Sequence, residues 1–161
     1  MGSGSKSARD PSAVAIRGMI SSDVPAVLSL LRKSPEASLW SEKSLLESAA
    51  QGWAWVAEQD GTVAGFLIGR AVADEFEILN MAVARGHRRR GIGGQLVRQT
   101  LQRVRKSGAR SAHLEVRASN QAAIHLYQLH GFAASGRREQ YYQHPPEDAL
   151  LFTMEWKSTE E

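Results

Sequence analysis

The most constraining feature of the chain is a decapeptide of arginine, glycine and histidine with one isoleucine, Arg-Gly-His-Arg-Arg-Arg-Gly-Ile-Gly-Gly, at residues 85–94. An apolar, strand-like run precedes it at 78–83, and an amphipathic, helix-like run follows at 92–106. Glycines let backbone N–H groups approach a ligand closely. The first turn of a helix leaves such groups unpaired and partly positive, and guanidinium groups add charge-assisted hydrogen bonds. The decapeptide therefore predicts a phosphate site between a strand and a helix.

Two common glycine motifs explain this segment less well. A Walker A loop requires a lysine and a hydroxyl residue after its glycines, and neither follows here. A dinucleotide fingerprint requires three glycines directly after the strand; Gly91 and Gly93 supply two, but the third position is Leu96. Because Glu115 lies where a ribose-binding acid would be expected, a dinucleotide site stays open as an alternative.

The charge distribution also centres on this segment. Residues 78–114 contain nine arginines or lysines and no acidic residue, whereas the rest of the chain has 11 basic and 17 acidic residues. Such a concentrated field attracts an anionic ligand, and we expect Arg88, Arg89 and Arg90 to contact it. A nucleic-acid-binding domain that uses the basic helix is an alternative from another class. Few aromatic residues interrupt the basic stretch, so we do not expect nucleic acid as the partner.

Length and composition predict one globular domain. The chain has 161 residues, of which 42% are hydrophobic and 23% charged. We expect residues 1–12 to form a disordered tail and residues 13–157 a single domain. The sequence has no apolar run of membrane length, which favours a cytoplasmic protein with no membrane contact. The absence of cysteine excludes thiol catalysis, and the five histidines show no spacing that predicts a metal site.

Hydrophobic periodicity and turn residues predict eleven elements in the order β-α-α-β-β-β-α-β-α-β-β. Strands are predicted at 13–19, 53–58, 63–72, 76–84, 113–116, 132–137 and 149–156. Helices are predicted at 22–33, 42–50, 92–108 and 120–131. The dipeptide Asp60-Gly61 predicts a tight hairpin turn. This order is typical of a three-layer α/β domain built on a mixed sheet.

The run Arg88-Arg89-Arg90-Gly91-Ile92-Gly93 matches the acyl-CoA signature Arg/Gln-x-x-Gly-x-Gly/Ala, between a strand and a helix. On this motif and the element order, residues 14–156 resemble the GCN5-related N-acetyltransferase (GNAT) superfamily. The second half is most similar to the ribosomal-protein alanine N-acetyltransferase (RimI) group. The segments that carry this similarity are Leu114-Glu-Val-Arg-Ala-Ser-Asn120, Leu126-Tyr127-x-x-x-Gly131-Phe132 and Arg138-x-x-Tyr141-Tyr142. The resemblance implies a mixed, mostly antiparallel sheet with splayed central strands and helices on both faces.

The resemblance also implies acetyl-CoA as the cosubstrate. The pyrophosphate would lie on the glycine turn and the pantetheine arm along the preceding strand, pairing like an additional strand. That arm requires an open edge, so strands 76–84 and 113–117 should splay apart. The expected cofactor-binding residues are Met81, Ala82, Val83, Arg88, Arg89, Arg90, Gly91, Ile92, Gly93, Gly94 and Asn120. Asn120 is equally well explained as the N-cap of a helix.

The implied reaction is direct attack of an amine on the thioester. The resemblance gives Glu115 the role of general base, with Glu77 as its rival, and gives Tyr127 the role of general acid for the departing thiolate. A backbone N–H of Met81 or Val83, beside a local bulge, would stabilise the oxyanion. Without the resemblance, Glu115 would be interpreted as part of an ion pair with Arg117 or another neighbour, and Tyr127 as a core residue.

The acceptor that the resemblance implies is the N-terminal amine of a protein, in particular the alanine of a small-subunit ribosomal protein. An α-amine has a pKa near ~8 and a lysine near ~10.4, so far more of the former is neutral at pH 7. Tyr141 and Tyr142, expected in a loop between the last two strands, would hold the acceptor peptide, and Trp40 would form the opposite wall. A small amine or a protein lysine is the alternative acceptor.

Overall fold

A computed structural model describes residues 13–157, and these form one seven-stranded sheet and four α-helices. The predicted tail at residues 1–12 lies outside the described residues. The strands are β1 (Ala15–Gly18), β2 (Ala54–Gln59), β3 (Thr62–Val72), β4 (Glu75–Val83), β5 (Ser111–Arg117), β6 (Ala133–Gln143) and β7 (Pro146–Glu155). The helices are α1 (Val24–Arg32), α2 (Glu42–Gln51), α3 (Ile92–Lys106) and α4 (Gln121–Leu129).

The strands are ordered β1-β2-β3-β4-β5-β7-β6 across the sheet. Only β4 and β5 are parallel, and all other neighbours are antiparallel. The predicted mixed, mostly antiparallel sheet is therefore confirmed. The dinucleotide alternative is wrong for this fold, because that site requires consecutive parallel strands.

Helices cover both faces of the sheet, as predicted. Adjacent residues of a strand point to opposite faces, so Trp55 and Val56 enter two different cores. Helices α3 and α4 pack on the Trp55 face, whereas α1 and α2 pack on the Val56 face. In the core cluster under α1 and α2, the buried strand residues come from β2, β3 and β4. Within residues 13–157, α1 and α2 thus pack over β2, β3 and β4 rather than over β5, β7 and β6.

The predicted turn between β2 and β3 is confirmed by its backbone. Asp60 has φ 53° and Gly61 has φ 73°, and two consecutive positive φ values define a type I′ turn. Pro25 lies in the first turn of α1, where a missing N–H costs nothing. In the part of the chain that the structure describes, no helix is long and apolar enough to cross a membrane.

The last hairpin differs most from its prediction. Strand β6 runs to Gln143 and β7 begins at Pro146, so only two residues connect them. Nearly every residue of β6 is exposed, and its register with β7 shifts twice. Without a buried face the strand has no period-two apolar pattern, which is the signal that predicts strands. The expected loop around Tyr141 and Tyr142 is therefore wrong: both belong to β6.

Candidate active site between β4 and β5

An opening separates β4 from β5 where the two strands stop pairing. Their parallel ladder runs from Glu75–Ser111 to Ile78–Leu114 and ends there. At the same point the register between β3 and β4 shifts, which leaves Leu79 as an extra residue in β4. A bulge bends a strand and increases its twist, so the remainder of β4 diverges from β5. The predicted splay and local bulge are both present.

Several of the residues predicted for the site line this opening. The cavity between the diverging strands is bordered by Met81 on β4, Glu115 on β5, and Tyr141 and Tyr142 on β6. Glu77, the rival base, also lines it. A second groove shares Glu77 and Glu115 with this cavity and extends over β5 and β7. Glu115 therefore lies at the junction of the two cavities.

Glu115 and Tyr127 lie on opposite faces of the sheet. Leu114 and Val116 are buried in the core under α3 and α4, so Glu115 between them points to the α1–α2 face. Tyr127 lies on α4, buried in that same core, with its ring edge-to-face on Phe132 at 5.7 Å. Desolvation, with a smaller contribution from Tyr142, raises the pKa of the Tyr127 phenol. The phenol is thus a neutral proton donor at physiological pH.

The Glu115 carboxylate is held by two residues of β6. Arg138 places its Nε 3.0 Å from Oε1 of Glu115. A hydrogen bond to Glu115, followed by the negative charge of that carboxylate, raises the pKa of Tyr141. The structural interpretation of Glu115, an ion pair with Arg117 or another neighbour, therefore holds with Arg138 as the partner. Glu77, by contrast, forms an ion pair with Arg70 on β3.

A bulge in β6 brings both tyrosines to the same cavity. The β6–β7 register shifts between Arg138 and Tyr142, and Gln140 between them has φ 47°. In a regular strand, neighbouring side chains would point to opposite faces, yet Tyr141 and Tyr142 border one opening with their rings 5.1 Å apart. The bulge therefore redirects one of the two rings.

Arg117 supports Tyr142 and the turn that follows it. Its guanidinium lies 4.3 Å from the centroid of the Tyr142 ring. It also donates hydrogen bonds to the carbonyl oxygens of His144 at 3.2 Å and Pro145 at 3.0 Å. Burial, followed by the charge of Glu115, raises the pKa of Tyr142 to about 12. The local sequence indicates neither the hydrogen bonds of Arg117 nor the ion pair of Arg138, although both residues lie in segments that carry the family resemblance.

The glycine turn meets the start of α3 in an open backbone conformation. Arg89 has φ 64° and Gly91 has φ 77°, and no side chain of the described residues caps α3. A Cβ at Gly91 would have nothing within 4 Å. Arg89 and Arg90 are exposed. The first backbone N–H groups of α3 consequently face open space, as an anion site requires.

Other residues of the predicted donor site have structural roles as well. Ile92 is buried in the core, so only its backbone can face a ligand. A Cβ on Gly93 would lie 3.1 Å from Cδ2 of Leu126, so this glycine also lets α4 approach α3. Ala82 is buried on the α1–α2 face. Asn120 caps α4 by accepting a hydrogen bond from the Ala123 N–H at 3.2 Å. This is the N-cap role that the sequence offered as the alternative to a cofactor contact.

Arg88 and Asn80 connect β4 and the glycine turn to the loop between α1 and α2. Arg88 donates its Nε to the Val83 carbonyl at 3.1 Å and forms an ion pair with Glu36. Asn80, which is buried, donates its Nδ2 to the Ser38 carbonyl at 2.7 Å. Trp40 in the same loop is half-buried and packs against the core under α1 and α2. The local sequence does not indicate the contacts of Glu36 and Asn80.

The described residues contain no group of three or more histidine, cysteine, aspartate or glutamate side chains that could hold a metal ion. The side chains that line the opening include the carboxylates of Glu36, Glu77 and Glu115 and the phenols of Tyr141 and Tyr142. Carboxylates and phenols are groups that can accept and donate protons.

Comparisons with known proteins identify the family. The sequence model of the acetyltransferase (GNAT) family matches residues 24–132. The chain is 32% identical over 142 residues to the [ribosomal protein bS18]-alanine N-acetyltransferase of Escherichia coli K12, which covers 86% of this chain and 95% of that protein. It is 33% identical to a putative enzyme of the same name from Bacillus subtilis, over 85% of this chain and 92% of that one.

Solved structures agree with the sequence comparison. The crystal structure of the ribosomal-protein-S18-alanine N-acetyltransferase from Escherichia coli superposes with a TM-score of 0.81 at 31% identity, covering 92% of this chain and 97% of that chain. Ard1 from Thermoplasma volcanium gives a TM-score of 0.83 at 26% identity, over 91% and 99% of the two chains. The chain therefore belongs to the acetyltransferase (GNAT) family, and it is an acetyl-CoA-dependent N-acetyltransferase.

Proposed function

We propose that this enzyme acetylates the N-terminal α-amine of a protein, in particular the N-terminal alanine of a small-subunit ribosomal protein. The observation that carries the proposal is the opening between β4 and β5, which Glu115, Tyr141 and Tyr142 line beyond the last β4–β5 pair. The relatives that cover most of the chain carry the name of this activity on ribosomal protein bS18. A cytoplasmic location, where ribosomal proteins are synthesised, fits this acceptor.

The donor would enter from the face that α3 and α4 cover. The exposed arginines Arg89 and Arg90 and the backbone of Gly91–Gly94 suit a pyrophosphate, because uncapped N–H groups and positive charge meet there. The edge of β4 at 81–83 is free of β5 and suits an extended arm that pairs with backbone groups. Arg88 would act indirectly, since it is bound to Val83 and Glu36. Acetyl-CoA supplies the acetyl thioester.

The acceptor would enter from the opposite face, where Tyr141 and Tyr142 border the opening. The amine nitrogen forms a bond to the acetyl carbon, and the carbon–sulfur bond breaks. Glu115 accepts the amine proton, directly or through a water molecule, and Tyr127 donates its proton to the departing thiolate. A backbone N–H near the Leu79 bulge stabilises the developing oxyanion. An α-amine needs only a modest base because about a tenth of it is already neutral at pH 7.

The test of the acceptor is a thiol-release assay with a ribosomal-protein peptide that begins with alanine. The same peptide with a blocked N-terminus is the control, and mass spectrometry locates the acetyl group. We expect thiol release only with the free N-terminus and a label on the α-amine. A label on lysine with the N-terminus left free would show that the acceptor is a side chain.

The test of the chemistry is a pair of conservative substitutions. Tyr127→Phe keeps the ring that packs on Phe132 and removes only the hydroxyl. We expect kcat to fall about 100-fold, within the usual contribution of a general acid, with acetyl-CoA affinity within about twofold of wild type. Glu115→Gln should lower kcat far more than Glu77→Gln, because Glu115 follows the last β4–β5 pair, where the strands open, whereas Glu77 lies within the paired part of β4. The reverse order would assign the base to Glu77.

A further inference from the structure

Arg138 stands out because it crosses a neighbouring strand to reach Glu115. It lies on β6, Glu115 lies on β5, and β7 runs between the two strands. The residue of β7 opposite Arg138 is Ala149, which is also opposite Arg117 of β5. Because the side chain of Ala149 is a single methyl group, the Arg138 side chain can pass over it and bring Nε to 3.0 Å from the carboxylate.

The backbone of β6 is shaped in a way that supports this contact. The extra residues between Arg138 and Tyr142 form a bulge, in which Gln140 has φ 47°. Asp148 on β7 holds the bulge by accepting hydrogen bonds from the Gln140 N–H at 2.8 Å and from Arg137 Nε at 2.6 Å. β6 buries no side chain in the core, so the bulge is not required for core packing. Bulges that redirect side chains are frequent beside active sites.

We propose that Arg138 is a positioning residue that holds the Glu115 carboxylate in the orientation in which it accepts the amine proton. This inference rests on the proposed function, which makes Glu115 the base. An ionised carboxylate has about four lone-pair sites, and Arg138 pairs with it at Oε1. The remaining sites stay available to the amine or to a water molecule. The ion pair with Arg138 thereby fixes one rotamer of the Glu115 side chain and leaves the carboxylate accessible to the substrate.

Arg138 acts through Glu115 and not on the substrate. It borders the outer groove over β5 and β7 but does not border the opening where the reaction takes place. Its side chain is 57% exposed, and ion pairs so exposed contribute little to stability. Its guanidinium also lies 5.7 Å from the centroid of the Tyr141 ring. The charge of Arg138 thus orients the Glu115 carboxylate and the Tyr141 ring relative to each other.

The first test compares Arg138→Gln, Arg138→Lys and the matched control Arg98→Gln, which removes an exposed charge from the solvent face of α3. We expect Arg138→Gln to lower kcat about tenfold while the KM for acetyl-CoA stays within about twofold, because misplacing a catalytic group affects the chemical step. Arg138→Lys should recover part of the loss because it keeps the charge. Arg98→Gln should match wild type. Equal kcat for Arg138→Gln and wild type would overturn the inference.

A second comparison separates this inference from the proposed function. If Arg138 acts through Glu115, then Arg138→Gln should lower kcat no further in a Glu115→Gln background. An equal loss in both backgrounds would show an independent role and refute positioning. Wild-type turnover in Glu115→Gln alone would remove the proposed base, and with it the group that Arg138 positions. An inactive Glu115→Gln beside a fully active Arg138→Gln would refute only the inference.

A readout that needs no acceptor completes the test. The chain has three tyrosines, so labelling with 3-fluorotyrosine gives three fluorine resonances, and Tyr141→Phe identifies that of Tyr141. We expect this resonance to move in Arg138→Gln and in Glu115→Gln but not in Arg98→Gln. An unchanged resonance in Arg138→Gln would mean that the Arg138–Glu115–Tyr141 contacts do not form in solution, whatever amine the enzyme acetylates.

Discussion

Gly69 on β3 is the position at which one added methyl group should do most damage to the sheet. Its missing side chain makes room for the ring of Phe76 on β4, next to the bulge that opens the site. A Cβ built on Gly69 would overlap the Phe76 Cζ atom, lie 2.7 Å from its Cε2 and lie 2.8 Å from the Glu77 carbonyl oxygen. The perturbation is therefore Gly69→Ala.

The loss of stability expected for Gly69→Ala depends on whether the atoms around the added methyl group can move. The Phe76 ring is confined by Trp53 at 5.8 Å and Trp55 at 6.1 Å between ring centroids, and the contact with Glu77 is to backbone. Neither the Phe76 ring nor the Glu77 carbonyl group can move away from the added methyl group without a shift of β4. Overpacking of a core costs about 1–3 kcal/mol, and we expect the upper end, about 3 kcal/mol. In a domain of this size that corresponds to a fall in Tm of roughly 6–12 °C.

The assay is equilibrium unfolding in urea, followed by tryptophan fluorescence because Trp53 and Trp55 adjoin the site of the change. The matched control is Gly18→Ala on β1, where a Cβ would meet nothing within 4 Å, so we expect a change of no more than about 0.5 kcal/mol. If the Phe76 ring is the obstacle, Gly69→Ala should cost less in a Phe76→Leu background. A Gly69→Ala protein as stable as Gly18→Ala would refute the reasoning.

Two further predictions concern charged side chains. Arg17 lowers the pKa of the buried Asp23 carboxyl, chiefly through side-chain hydrogen bonds. The ionised Asp23 therefore stabilises the folded protein at every pH above the unfolded pKa, near ~3.9, and this stabilisation is lost as the pH falls through the lower pKa of the folded state. Urea titrations of Asp23→Asn should thus show lower stability at pH 7 and a flatter decline below pH 4, and an unchanged pH dependence would contradict this. Arg117→Met removes the hydrogen bonds to His144 and Pro145, so hydrogen exchange across 139–148 should quicken and stability should fall by about 1 kcal/mol; exchange at the wild-type rate would show that Arg117 does not hold this turn.

The sequence predicted the elements that carry a strong local signal. The amphipathic stripe from Ile92 to Val104 gave helix α3, and the Asp60-Gly61 pair gave a type I′ turn. Strand β6 is longer than predicted, since an exposed edge strand with a bulge lacks the alternation of apolar and polar residues that indicates a strand. The contact of Trp40 with the core was not predictable for a similar reason: it is made with residues distant in sequence.

The candidate site was predictable to the extent that it depends on backbone and local sequence. The glycine turn, the splay after Ile78 and the bulge at Leu79 agree with expectation. The side chains that organise the site were not predictable. Arg138 reaches Glu115 across an intervening strand, and Glu36 reaches Arg88 across 52 positions of sequence. Such contacts depend on which strands and loops become neighbours in the folded chain, and no local pattern of residues indicates this.

The same distinction explains why the donor can be identified from this sequence more firmly than the acceptor. The donor side consists of backbone N–H groups, glycines and a strand edge, all fixed by the packing of α3 and α4 on the sheet. The proposed acceptor side is β6, whose exposed side chains are free of core packing. We therefore expect substitutions on β6 to change the acceptor without unfolding the protein, and substitutions in the glycine turn to affect the fold and the donor together. Because Arg138 and Tyr141 lie on β6, a substitution at either residue would also alter the surroundings of Glu115, the proposed base.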